Sequence, residues 1–154
     1  MGTRSTIALE FADNTVQQVY CHWDGYLAHN GQILAEHYSD PFKLRELIDL
    51  GDLSSLRPEI GTKHAFSQFE LPAAEREAFE KSIENMCTFY QRDRGETCPA
   101  RKYKDVAEYF ADAQQEEYDY ILRTDGVWYV RCYTTDGKWV TMEEAKVSQE
   151  EYTE

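Results

Sequence analysis

The densest group of reactive side chains in this sequence is a short polar stretch, Arg92-Asp93-Arg94-Gly95-Glu96-Thr97. Alternating guanidinium and carboxylate groups beside a glycine can cradle an anion or recognise a carboxylate on a partner. Arg92, Asp93, Arg94 and Glu96 are therefore candidate ligand-binding residues, in what we predict to be a loop. A surface loop whose charges satisfy one another has the same pattern, so both interpretations stay open.

A second candidate site lies at the end of a predicted strand, where Tyr20, His22, Trp23, Asp24 and Tyr26 combine aromatic rings, an imidazole and a carboxylate. A His-Asp pair at a strand end could in principle serve acid/base chemistry. His22, Trp23, Asp24 and Tyr26 are thus further candidate ligand-binding residues. Aromatic residues that close the end of a core give the same pattern, and no nucleophile accompanies them, so no catalytic residue is predicted.

A third candidate site is a series of acidic residues at helical spacing. Asp105, Glu108, Asp112 and Glu116 follow one another at spacings of three and four, and no Lys or Arg occurs from Asp105 to Asp119. On a helix with a rise of about 1.5 Å per residue these carboxylates would lie roughly 5–6 Å apart, near the spacing of phosphates along a nucleic-acid strand. The four residues are candidates for binding a partner, although a solvated helix face looks the same.

The composition points to the kind of partner. The chain has 29 Asp and Glu against 16 Lys and Arg, a formal net charge of −13. Direct nucleic-acid binding is disfavoured, because affinity for a phosphate backbone depends on neutralising it with Lys and Arg. A partner with a basic surface is favoured instead. An acidic surface also keeps a small protein dispersed without any partner, which accounts for the charge equally well.

Neither a metal site nor a cofactor is predicted. The four cysteines, Cys21, Cys87, Cys98 and Cys132, are widely spaced and form no C-x-x-C pair. Cys21 and His22 are strand neighbours that point to opposite faces, so they cannot share an ion without a bend. The sequence contains no P-loop, nucleophile elbow, zinc-protease helix or dinucleotide fingerprint, which favours a binding protein over an enzyme.

The strands that position these residues form two groups. Alternating apolar residues at 5–11 and 15–23, separated by Ala12-Asp13-Asn14, predict an N-terminal hairpin. Residues 118–123 and 127–133 flank Asp125-Gly126, which predicts a second hairpin with a type I′ turn. Asp136-Gly137 and residues 138–142 extend it into a three-stranded meander.

Helices are predicted between the two strand groups. Residues 26–38 have helical spacing, although Asn30-Gly31 could divide them into two pieces. Asp40-Pro41 begins a helix that ends at Gly51. Leu53 and Leu56 continue the spacing to Pro58. Further helices are predicted over residues 72–86 and from Asp105 onward.

Together these elements predict an α+β fold, in which one antiparallel sheet, built from the N-terminal hairpin and the C-terminal meander, packs against three to four helices. At 154 residues we expect a single domain over residues 1–147, followed by a frayed acidic tail at 148–154. No stretch has the length or apolarity of a membrane span or a secretory signal, so we expect a cytoplasmic protein.

Four segments carry a family resemblance: residues 2–8 (GTRSTIA), 20–26 (YCHWDGY), 51–56 (GDLSSL) and 92–97 (RDRGET). They resemble a family of small bacteriophage and prophage proteins. The resemblance implies an accessory protein of the kind that inhibits host machinery, including restriction and CRISPR systems, in the host cytoplasm. It implies no catalytic residue and no ligand.

Two functions follow as expectations. The first is a phage accessory protein that binds and inhibits a basic host complex through its acidic surface. The alternative is a protein that binds or hydrolyses a small molecule or nucleotide, using residues 92–97 and the strand end at residues 20–26.

Overall fold

The computed structural model describes residues 2–146. Within them, eight strands form one sheet: β1 (Ser5–Glu10), β2 (Val16–Cys21), β3 (Leu53–Ser55), β4 (Thr88–Phe89), β5 (Arg101–Tyr103), β6 (Tyr118–Leu122), β7 (Trp128–Cys132) and β8 (Val140–Thr141). The α-helical segments are α1 (Gln32–His37), α2 (Pro41–Asp49), α3 (Arg76–Ser82), α4 (Tyr90–Arg94) and α5 (Val106–Asp112). The α+β class is confirmed, and the tail predicted at 148–154 lies outside the described residues.

The sheet is mostly antiparallel, in the order β4-β3-β2-β1-β6-β7-β8, with β5 also paired to β2. The N-terminal hairpin is present as β1–β2, and the meander as β6–β7–β8. The two groups join through a parallel pairing of β1 with β6, from Ser5 opposite Tyr118 to Leu9 opposite Leu122. The expectation of a purely antiparallel sheet is therefore wrong at its centre.

The two hairpins have loops of the same type. In the first, Asn14 N–H donates to the Phe11 carbonyl at 2.9 Å, and Asn14 has a φ of 75°. In the second, Gly126 N–H donates to the Arg123 carbonyl at 2.9 Å, with a φ of 78° at Gly126. This is a three-residue loop with a left-handed residue in third position, so the predicted type I′ turn at Asp125-Gly126 is wrong.

The two faces of the sheet carry separate cores. On one face, α1 and α2 cover alternate strand residues such as Ile7, Val19, Tyr120 and Val130. On the other, α5 places Tyr109 against Ala8, Val16 and Ile121. Burial of both faces explains why both sides of the central strands carry bulky residues.

Several predicted helices differ in extent. Residues 26–38 divide into a π-helical turn at Leu27–Gly31 followed by α1, in keeping with the break expected at Asn30-Gly31. The helical spacing of Leu53 and Leu56 was misleading, because Leu53–Ser55 forms β3. The helix predicted over 72–86 is α-helical only at Arg76–Ser82. Helix α2 begins as predicted, since the Asp40 carboxylate accepts from the Phe42 N–H at 3.0 Å.

Helix α5 is also shorter than predicted. It is capped by Asp105, whose carboxylate accepts from the Glu108 N–H at 2.8 Å, but it ends at Asp112. Beyond it the Gln114 carbonyl accepts from Gln18 Nε2 at 3.0 Å, and the Glu116 N–H donates to Asp119 at 3.0 Å. These bonds to the sheet use backbone groups that a longer helix would need.

The outer edge of β2 is shared, because β5 pairs with residues 16–18 and β3 reaches only Cys21. Asp52 fills the gap. Its carboxylate accepts from the Tyr20 N–H at 2.8 Å and binds both terminal nitrogens of Arg101 at 3.1 Å. A side chain thus replaces the missing strand partner.

Gly51, just before Asp52, provides a test of this junction. It has a φ of +84°, and a Cβ there would lie 2.3 Å from the Cys98 carbonyl oxygen. Gly95 has a similar φ of +71°, but nothing lies within 4 Å of its Cβ position. We expect Gly51→Ala to lower the free energy of unfolding by about 1–3 kcal/mol more than Gly95→Ala, as measured by urea denaturation. Equal losses would show that the close approach is unimportant.

None of the helices in residues 2–146 is long and apolar enough to cross a membrane.

Candidate functional site

The strand-end residues form a local cluster rather than the predicted His-Asp pair. His22 Nδ1 lies 2.7 Å from the Tyr20 hydroxyl, and the His22 ring meets Trp23 edge-on at 4.8 Å. Among the described residues no hydrogen bond joins His22 to Asp24, which has a left-handed φ of 58°. Tyr26 lies apart, with its ring 5.9 Å from that of His29. The geometry for acid/base work through His22 and Asp24 is not formed.

Trp23 and Asp24 do line a cavity of about 540 Å³. Its opposite wall comes from the long segment that connects β3 to β4, including Phe66, Phe69 and Phe79. None of the residues 57–86 is buried, so this segment is a thin cover. We call residues 57–86 the cover segment.

Arg92 and Asp93 lie in helix α4, where a loop was predicted, and they anchor the cover segment. All five N–H groups of the Arg92 guanidinium donate within the protein: to the Asp93 carboxylate and to the carbonyls of Ile60, Gly61 and Cys87. The fully buried Asp93 carboxylate also accepts from the N–H groups of His64 and Phe89. Neither residue has capacity left for a ligand.

Arg94 and Glu96 form an exposed ion pair on the same side of the molecule. The Arg94 guanidinium also stacks over Phe66 at 4.6 Å and Tyr90 at 4.9 Å. Neither Arg92 nor Arg94 lines the cavity that contains Trp23 and Asp24. The two predicted ligand-binding groups therefore do not converge on one pocket.

The predicted acidic ridge is divided by the end of α5. Asp105 is committed to capping the helix, while Glu108 and Asp112 lie one turn apart on it. Glu116 lies beyond the helix and accepts from Gln114 Nε2 at 2.9 Å. Within residues 2–146 no ion pair involves Glu108, Asp112 or Glu116. A shorter acidic face, Glu108 and Asp112, remains available.

Behind this face lies a buried charge network that no local sequence pattern predicts. The Asp119 carboxylate accepts from the Thr6 hydroxyl at 2.6 Å, and it pairs with Arg131 at 3.2 Å. Burial raises the pKa of Asp119, although the hydrogen bonds and the Arg131 charge oppose that change. Arg131 in turn lies 4.7 Å from the Trp139 ring. The network links β1, β6 and β7 on the side of the sheet that α5 covers.

The environment of the cysteines is typical of a structural role and not of a reactive one. Cys21, Cys87 and Cys132 are buried as free thiols, and burial raises the pKa of Cys21 to about 12. A thiol with such a pKa is neither a nucleophile nor a ready metal ligand at neutral pH. Among the residues described, no three His, Cys, Asp or Glu side chains are grouped so that they could hold a metal ion.

A further pocket is not indicated by any of the local motifs. It has a volume of about 510 Å³ and lies between the two hairpin loops and the first turn of α2. Its residues come from three distant parts of the chain, and the parallel pairing of β1 with β6 brings the two hairpin loops together. The sequence feature that points to this pocket is the pair of similar loops, Asp13-Asn14 and Asp125-Gly126.

Comparison with known proteins gives no further assignment, because no protein-family model, curated protein or solved structure matches this chain.

Proposed function

We propose that this chain is a non-enzymatic phage or prophage accessory protein that binds a basic surface of a host nucleic-acid-binding or defence complex and inhibits it. The binding face is centred on Glu108 and Asp112. The observation that carries the proposal is the acidic face of α5, where Glu108 and Asp112 form no ion pair with any residue in the described range 2–146.

The distribution of arginines supports this proposal. Each of four inward-facing carboxylates is paired with an arginine: Glu10 with Arg123, Asp52 with Arg101, Asp93 with Arg92, and Asp119 with Arg131. These pairs are neutral overall and take cations away from the outer surface. The net charge of −13 therefore belongs to the remaining, more exposed groups.

The α5 face is the clearest concentration of that charge. Glu108 and Asp112 are one helical turn, about 6 Å, apart, and no Lys or Arg occurs from Asp105 to Asp119. Tyr109, fully buried beneath them, fixes the helix on the sheet. A rigid row of carboxylates can occupy a basic groove that otherwise binds phosphates, and charge complementarity speeds such association.

The alternative, a nucleotide site between residues 92–97 and the strand end at residues 20–26, has less support. Arg92 is saturated by protein acceptors, and Arg94 is paired with Glu96. An anion would have to displace these contacts.

Charge reversal tests the proposed face. We expect the wild type to capture a basic host complex from bacterial lysate at low salt, and DNA to compete with that capture. Glu108→Lys/Asp112→Lys should weaken binding roughly tenfold or more, since attraction becomes repulsion at two positions. Affinity is then measured on the purified complex across a salt series.

The matched control is Glu75→Lys/Glu77→Lys, which makes the same change in net charge at two exposed positions in the cover segment. It should weaken binding only slightly. If both double variants lose affinity equally, recognition depends on total charge and not on the α5 face. If DNA does not compete, the partner's nucleic-acid groove is not the target.

A further inference from the structure

The pocket between the two hairpin loops and α2 has an apolar floor. We call it the twin-hairpin pocket, lined by residues 9–12 and 14, residues 122–124 and 126, and the first turns of α2. Leu9 and Leu122 lie directly opposite each other in the parallel β1–β6 pair, and both are buried. Phe11 and Phe42 form side walls, and Phe42 is 82% exposed. A volume of about 510 Å³ is within the range of small-molecule sites.

The mouth of the pocket is held in place by Glu10. Its carboxylate accepts from Arg123 Nε at 3.2 Å and from the Thr124 N–H at 3.1 Å, which fastens the second loop to the end of β1. Burial disfavours the charged form of Glu10, but the bonds from Arg123 and Thr124 outweigh it and lower its pKa. The charges of Glu10 and Arg123 are thus already matched.

Arg45 is the uncompensated charge at this pocket. Its guanidinium lies 5.6 Å from the centre of the Phe11 ring. Within residues 2–146 no hydrogen bond or ion pair to the Arg45 guanidinium is formed. It therefore presents a free planar donor set beside an apolar wall, which matches a carboxylate in geometry and charge.

We infer that the twin-hairpin pocket binds a small amphipathic monoanion, whose apolar body lies on Leu9, Leu122 and Phe42 and whose carboxylate pairs with Arg45. The single charge follows from the surroundings: of the two arginines that line the pocket, Arg123 is paired with Glu10, while the protein's net charge of −13 repels polyanions. This site is separate from the α5 face and does not depend on the proposed function.

Binding of simple amphiphiles tests this inference. We expect decanoate, below its micelle concentration, to bind the full chain with one site by calorimetry. Decanol, without a charge, and decyl phosphate, with a higher charge, should each bind roughly tenfold more weakly, and decyltrimethylammonium should not bind. Equal binding of all four compounds would overturn the carboxylate assignment.

Variants locate the site. Arg45→Gln should weaken decanoate roughly tenfold and leave decanol unchanged, whereas Ala12→Trp should fill the mouth and abolish both. Phe69→Ala, at a phenylalanine 73% exposed beside the other cavity, is the control and should have no effect. Arg45 and Ala12 are exposed, so melting temperatures should be near that of the wild type. Unchanged decanoate affinity in Arg45→Gln, or no decanoate binding by the wild type, would refute the inference.

Discussion

Asp119→Asn is expected to lower the free energy of unfolding by about 3–5 kcal/mol, because it leaves the mostly buried Arg131 without its counter-charge. The Asp119 side chain is 0% exposed, so water cannot replace the lost interaction. The Asn amide oxygen can still accept from the Thr6 hydroxyl and the Glu116 N–H, but its NH2 group then faces the Arg131 donors that bound the second carboxylate oxygen. Urea unfolding followed by fluorescence measures this loss, which is a large part of a typical stability of about 5–15 kcal/mol.

Two further variants separate pairing from burial. Glu96→Gln breaks an exposed pair with Arg94 and should change stability by less than about 1 kcal/mol. Arg131→Met combined with Asp119→Asn should cost clearly less than the sum of the single variants, since the stranded charge is gone. A loss below about 1 kcal/mol for Asp119→Asn alone would contradict the structural role of the network.

Local chemistry made the hairpins and the start of α2 predictable. Asp13-Asn14 and Asp125-Gly126 each place a left-handed residue third in a loop, and Asp40-Pro41 supplies a cap and a first helical residue. The turn type at Asp125-Gly126 was less predictable. A two-residue and a three-residue loop share the Asp-Gly signal, and strand register decides between them.

Long-range pairing limited the remaining predictions. Nothing near residues 5–10 indicates that they pair in parallel with residues 118–122, and that pairing creates the twin-hairpin pocket. The acidic spacing from Asp105 to Glu116 suggested one helix, but bonds to Gln18 and Asp119 end it early. Similarly, Arg92 and Arg94 look equivalent in sequence, although one is enclosed by carbonyls and the other is exposed.

That difference between the two arginines leads to the second large effect. Arg92→Met is expected to cost about 3–5 kcal/mol, because the fully buried Asp93 carboxylate loses its counter-charge. The carbonyls of Ile60 and Gly61 lose their donor at the same time. Arg94→Met, two positions along the same helix, is the matched control. It removes an exposed pair and should cost less than about 1 kcal/mol.

The loss in Arg92→Met should appear first in the cover segment. No residue from 57 to 86 is buried, so the segment has no apolar core of its own and depends on polar anchors. Besides Arg92, the anchors include the Tyr38 hydroxyl, which donates to the Arg57 carbonyl at 2.7 Å, and Lys43 Nζ, which donates to the Pro58 carbonyl at 2.8 Å. Both hold the start of the segment, whereas Arg92 and Asp93 hold residues 60–64.

Arg92→Met should therefore speed hydrogen exchange and proteolysis within residues 60–86 before the sheet unfolds, and the cavity beside Trp23 should open. Exchange in β1 and β6 should rise only through the lower global stability. Equal acceleration throughout the chain would show that Arg92 does not anchor this segment. The arginine-rich motif of residues 92–97 would then need a role other than fastening the cover segment to α4.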